Sequence, residues 1–146
     1  MAILVLDSGV LIARSYNEPV SQDVEAMLTR IRTREVELHA PILFKYELVS
    51  VVRKPVHSPR VTPLEGGRLL DELLQYPVTL HFDDALLRRG FELAGELTQP
   101  RAYDGQYLAL AERLQCEFWT TDERLFNSVR SAFPLIRWLG NVDING

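Results

Sequence analysis

The chain opens with Ala2-Ile3-Leu4-Val5-Leu6-Asp7-Ser8-Gly9, five apolar residues in a row that stop at a carboxylate. An apolar run with no polar alternation is what a strand buried on both faces requires, and such strands belong to parallel sheets covered by helices. The remaining chain repeats the theme. Residues 21–34 place Val24, Met27, Leu28 and Ile31 on one helical stripe, and 36–40 read as a short strand. Pro41 stands where a first helical turn tolerates proline, opening an apolar helix over 42–53. Residues 54–60, with Pro55, His57 and Pro59, read as a loop, and Thr62-Pro63-Leu64-Glu65 as a capping box that starts a helix running to Gln75. A strand over 78–82, a helix capped by Asp83 or Asp84 and ending near Leu97, and a helix over 103–115 follow. A strand over 117–121 ending at Asp122, a helix over 123–130 and a last strand over 135–138 complete the pattern. Strands separated by helices imply crossover connections, so an α/β fold with a mostly parallel sheet is expected, as a single domain with a short tail after Gly140.

Composition narrows the function classes. The 146 residues carry a formal charge of −4, and 47% are apolar. A chain of this size buries roughly 68 to 70% of its unfolded surface, so a full core needs no covalent staples. Cys116 is the single cysteine, which excludes an intrachain disulfide and any metal site built on several thiolates. A lone thiol suits a reducing cytoplasm. The opening apolar run lacks a basic flank and is interrupted at Asp7, too early for a signal peptide or a membrane span, so a soluble cytoplasmic protein is expected. Net acidity argues against indiscriminate coating of nucleic acid. Fourteen of the sixteen basic residues are Arg, which suits bidentate phosphate contacts.

Most of the acids suit solvated helix faces, but Asp7, Glu47, Asp104 and Asp122 do not. Asp7 and Asp122 stand at the carboxyl ends of two apolar strands, beside the crevice where parallel sheets bind ligands. Each also suits a helix N-cap, a role Ser8 could take in place of Asp7. Glu47 shares its helix face with Leu43, Phe44, Ser50 and Val51, so its carboxylate needs an arginine such as Arg53, a hydrogen-bond network or a raised pKa. Asp104 heads the stripe Tyr107, Leu108, Ala111 and Leu114, either as a helix cap or at the top of a buried face. Like charges ~4 Å apart repel by ~4 kcal/mol at an effective dielectric of ~20, so acids converging at one sheet edge need a cation. Oxygen donors without clustered His or Cys suit Mg²⁺ or Mn²⁺ over Zn²⁺. Such sites are common in enzymes that cut phosphodiesters.

At this point the sequence resembles the PIN-domain family, and within it the VapC-type toxins of toxin-antitoxin pairs. Val5-Leu6-Asp7-Ser8-Gly9-Val10-Leu11-Ile12 is similar to the family's opening strand and first acid. Tyr46-Glu47-Leu48-Val49-Ser50-Val51-Val52-Arg53-Lys54 is similar to its helix with the second, and Tyr103-Asp104-Gly105-Gln106-Tyr107-Leu108-Ala109-Leu110-Ala111 to its third motif. Trp119-Thr120-Thr121-Asp122-Glu123-Arg124-Leu125-Phe126 is similar to the fourth, with the Thr-x-Asp spacing present. The resemblance implies a three-layer α/β/α arrangement with five parallel strands, and a Mg²⁺- or Mn²⁺-dependent endoribonuclease. It implies metal ligands at Asp7, Glu47, Asp104 and Asp122, and a hydroxyl beside the metal from Thr120. It also implies an RNA substrate, a homodimer and an antitoxin whose arginine-bearing tail enters the acidic pocket. Two positions depart from the family pattern: Gly9, where Ser or Asn is common, and Gly105, where Ala is common and where glycine lowers helix propensity beside the site.

Other residues carry less. His39, His57 and His81 lack ligand spacing and read as structural or surface groups, and Tyr103 and Tyr107 as rim or core. Arg14, Arg88, Arg89 and Arg101 are candidate phosphate contacts, although a solvated face explains Arg88 and Arg89 equally well. Gly66-Gly67 has no strand before it and is no phosphate loop. Competing functions are an aspartyl phosphotransferase using Asp7, which lacks an Asp-x-Asp pattern, and a catalytically silent module whose acidic pocket binds a partner or RNA. Apolar residues at Val10, Leu11, Ile12 and 48–52 exceed what one sheet obviously absorbs, and an exposed patch there would mark an interface.

Overall fold

The computed structural model describes residues 2–13, 22–58, 60–99 and 102–140. The opening run forms β1 (Ala2–Leu6), and β2 (Val36–Pro41), β3 (Val78–His81), β4 (Glu117–Thr120) and β5 (Ile136–Trp138) join it in one sheet. The order is β3-β2-β1-β4-β5 and every pairing is parallel. The helices are α1 (Ser8–Ala13), α2 (Gln22–Arg32), α3 (Leu43–His57), α4 (Pro63–Leu74), α5 (Asp84–Glu96), α6 (Tyr103–Leu114) and α7 (Glu123–Val129). The sheet grows from β1 through β2 to β3, then the chain returns to lay β4 against the other side of β1. That reversal opens a crevice at the carboxyl ends of β1 and β4.

Burial explains the central strand. Leu4, Val5 and Leu6 are buried, and the α2 stripe of Val24, Met27, Leu28 and Ile31 packs into the same core as expected. Local capping also follows the sequence. Thr62 Oγ1 accepts the Glu65 N–H at 3.2 Å and donates to the Glu65 carboxylate at 2.9 Å. Asp83, not Asp84, caps α5 by accepting the Leu86 N–H at 2.8 Å. No helix among the described residues is long and apolar enough to cross a membrane.

Three local readings are corrected. Pro41 ends β2 opposite His81 and does not open the next helix. Ile42 donates its N–H to His81, so alternation turns the position of the missing Pro41 N–H toward β1, whose pairing with β2 has already ended at Val5 and His39. Helix α3 continues through Pro55 to His57 where a loop was expected. Pro55 is buried, and its carbonyl takes N–H bonds from Arg60 at 3.0 Å and Val61 at 3.3 Å, which ties down the turn that proline weakens. The segment after Asp7 forms the short helix α1, an element that no helical stripe in the sequence announces. Most of the expected apolar excess is core: Val10, Leu11, Leu48 and Val52 are buried, leaving Val49 and Val51 exposed on α3 beside the exposed Tyr46. The side chain of Ile12 and residues Arg14, Glu18 and Arg101 lie outside the described set.

Candidate functional site

Asp7 follows β1 directly, and neighbouring β4 supplies its partners. Thr120, with no exposed surface, donates its hydroxyl to Asp7 Oδ2 at 2.5 Å, and the Thr121 N–H reaches the same oxygen at 3.3 Å. The other oxygen, Oδ1, is buried without a partner among the described residues. Burial raises the Asp7 pKa to about 6 against the lowering effect of the Thr120 and Thr121 hydrogen bonds, and the negative charge of Asp122 adds to the effect of burial. Thr120 Oγ1 also accepts the Asp122 N–H at 3.0 Å, so one hydroxyl links the acids that follow two adjacent strands.

Asp122 caps α7, its Oδ1 accepting the Leu125 N–H at 3.0 Å, while its side chain stays exposed at the rim. Glu47 is half-buried on α3, and its partner is the Tyr107 hydroxyl of α6, not an arginine. Burial pushes its carboxyl above the usual range, and the charges of Asp7 and Asp104 add to that. Asp104 is the second residue of α6; Ala102 holds the cap position and no side chain caps that helix. Burial and then Asp122 raise its proton affinity.

The four acids therefore share one rim. Glu47 feels Asp7 and Asp104, and Asp104 and Asp7 both feel Asp122, which links the four in a circle of repulsion. Among the described residues no three acids or imidazoles stand as a preformed ligand set. The chemistry of the donors nevertheless fits a hard divalent cation: every candidate ligand is a carboxylate oxygen, and the buried Asp7 Oδ1 lacks the partner that a cation would supply.

The remaining candidates separate. Arg89 is committed to Glu112, at 2.7 and 2.9 Å, and to Glu96 at 3.1 Å, and Arg88 is exposed on α5. His39 and His81 bond one another at 2.8 Å, with Glu37 on the far ring nitrogen of His39 at 2.7 Å. His57 and Tyr103 are exposed. At Gly9 an added Cβ would lie 2.8 Å from Thr121 Oγ1 and 3.2 Å from Asp7 Oδ1, so the Thr121 hydroxyl occupies the space a larger residue would need.

Sequence reading passed over two residues. Tyr107 is core, as one reading allowed, but its hydroxyl is spent on Glu47. Arg124 lines a pocket of ≈ 520 Å³ together with Asp104, Asp122, Gln99 and Ser128, and makes no ion pair among the described residues. Gln99 donates to Ser128 at 2.7 Å across that pocket's wall. The signal for Tyr107 was its spacing of one helical turn from Asp104; for Arg124 it was its place two residues after Asp122.

A parallel sheet that reverses beside its central strand, with carboxylates from two strand ends and two helices on one rim, defines an α/β protein with an acid-lined crevice. The PIN domain model matches residues 4–131, and the chain belongs to the PIN-domain family. It is 28% identical over 133 residues to VapC ribonuclease Mb0985 of Mycobacterium bovis, covering 91% of this chain and 96% of that protein. It is 33% identical over 106 residues to Ribonuclease VapC3 of Mycobacterium tuberculosis, covering 73% and 75%. Its fold is shared with a chain of a toxin-antitoxin complex from Klebsiella pneumoniae, with a TM-score of 0.65, 12% identity and coverage of 95% of this chain and 99% of that one.

Proposed function

We propose that this protein is a divalent-metal-dependent endoribonuclease, the toxin of a toxin-antitoxin pair, with Asp7, Glu47, Asp104 and Asp122 as ligands of Mg²⁺ or Mn²⁺. The observation that carries the proposal is the buried, unpartnered Asp7 Oδ1 inside a circle of mutually repelling carboxylates. When bound, the metal supplies an activated water and charge stabilisation at the phosphorus oxygens.

The protein's own groups do the positioning. Thr120 and the Thr121 N–H hold Asp7 Oδ2, which leaves Oδ1 for the cation. Asp122 commits one oxygen to the cap of α7, fixing its side chain at the rim. Arg124, in the pocket beside Asp104 and Asp122, receives a backbone phosphate of the RNA, which the acids would otherwise repel. The relatives named ribonucleases support the RNA assignment.

An antitoxin and a homodimer belong to the same proposal. The exposed Tyr46, Val49 and Val51 of α3 offer an apolar surface to a second chain, and an acidic crevice attracts an arginine-bearing tail. The deciding experiment is cleavage of single-stranded RNA with Mn²⁺, with and without chelator, by the parent and by Asp7→Asn, Glu47→Gln and Asp104→Asn. Cleavage that needs the metal and is lost in all three variants is expected. RNA binding without cleavage in the parent would overturn the nuclease and leave the silent module.

A further inference from the structure

The acids of the crevice are held unequally, and the difference lies in two hydroxyls. Asp7 is held by Thr120 from the neighbouring strand. Glu47 sits on α3, and its hydroxyl partner comes from 60 positions away. Tyr107 reaches it from α6, where residues three apart share a face, so Asp104 and the Tyr107 ring rise from the same side of that helix. The ring is 2% exposed and lies on Phe118 of β4, with centroids 5.4 Å apart and planes within 11°. Phe118 and Thr120 are two residues apart on one face of β4. One strand face therefore carries Thr120, which holds Asp7, and backs Tyr107, which holds Glu47.

Filling space does not explain this arrangement. Phenylalanine has the same ring, and the only atom tyrosine adds is an oxygen that must be paired once buried, at a cost of ~1–3 kcal/mol otherwise. That oxygen donates to a carboxylate already crowded by Asp7 and Asp104. We infer that Tyr107 is a positioning residue for the metal site: its stacked ring fixes the hydroxyl, and the hydroxyl holds Glu47 in the one orientation that faces the cation. The inference rests on the metal-dependent reading above and adds a residue that touches neither metal nor substrate.

The test uses Mn²⁺ alone as the probe, measured by titration calorimetry without RNA. Tyr107→Phe keeps the ring and its stacking, and is expected to weaken Mn²⁺ binding at least 10-fold, the range typical of lost outer-shell partners. In a Glu47→Gln background the same change is expected to cost nothing further. Phe118→Leu, which keeps the hydroxyl and loosens the ring, is expected to weaken Mn²⁺ binding in the same direction but less. Parent-like Mn²⁺ affinity in Tyr107→Phe, with or without a lowered melting temperature, would make the residue structural and overturn the inference. If Tyr107→Phe does not fold, parent-like affinity in folded Phe118→Leu overturns it equally. A parent that takes up no Mn²⁺ brings down the metal reading itself, whereas a parent that binds and a Tyr107→Phe that binds equally well bring down this inference alone.

Discussion

Gly105 of α6 rests on the main-chain carbonyl of Gly90 in α5: a Cβ placed on Gly105 would lie 2.2 Å from that oxygen and 3.4 Å from the Ala94 Cβ. Glycine inside a helix normally costs ~0.5–1 kcal/mol relative to alanine. Here it allows α5 and α6 to touch through their backbones, directly after Asp104. The departure from alanine at this position is thus matched by a glycine in the facing helix.

Gly105→Ala is accordingly expected to destabilise the protein, although alanine is the better helix former. Backbone cannot swing aside as a flexible side chain can, so an overpacking cost of ~1–3 kcal/mol outweighs the propensity gain. Urea unfolding of the parent and variant measures the sign. A stabilised Gly105→Ala would mean that α5 and α6 separate freely.

Thr120→Val is expected to cost about 2 kcal/mol, because an almost isosteric change removes the donor to Asp7 and the acceptor of the Asp122 N–H together. Thr120→Ser restores both bonds and should recover most of that loss. Equal stability of the valine and serine variants, by the same urea unfolding, would show that the hydroxyl contributes nothing.

Without metal, stability is expected to fall as pH rises from about 4 to about 6. The folded Asp7 pKa of about 6 lies above the ordinary aspartate value of 3.8, so the native state holds its proton more tightly than the unfolded chain, and ionisation in that window favours unfolding. Glu47 and Asp104, both raised, act in the same direction. Asp7→Asn should flatten the profile, and millimolar Mn²⁺ should restore stability at neutral pH, by ~2.7 kcal/mol at a hundredfold excess over Kd. Thermal melts in chelator across pH 4–7 provide the measurement.

Arg124→Ala is expected to weaken RNA binding and to lower the slope of log K against log salt by about 1, the signature of one lost phosphate contact. Binding should be followed in an Asp7→Asn background so that RNA survives the measurement. An unchanged slope would remove Arg124 from the substrate path.

Local sequence was enough for the elements whose cause is local. The run before Asp7 is a strand because its apolar residues follow one another without polar alternation, with Leu4, Val5 and Leu6 buried, and the α2 stripe is a helix face because its spacing is helical. The caps at Thr62, Asp83 and Asp122 are likewise bonds between residues three apart. The unusual placement of the four acids was visible for the same reason, since strand ends and helix faces are properties of short windows.

Only the tertiary structure decided what depends on residues distant in the chain. Pro41 stays in β2 because the pairing of β2 with β1 ends before its missing N–H would matter, and Pro55 stays in α3 because residues beyond the helix bind its carbonyl. Val10 and Leu11 looked surplus until the core was assembled around them. Asp7 meets Thr120 across 113 positions and Glu47 meets Tyr107 across 60, distances over which no helical or strand period carries information. Such bonds exist because the parallel register of β1 and β4 and the backbone contact of α5 and α6 bring those hydroxyls into range, and packing sets both.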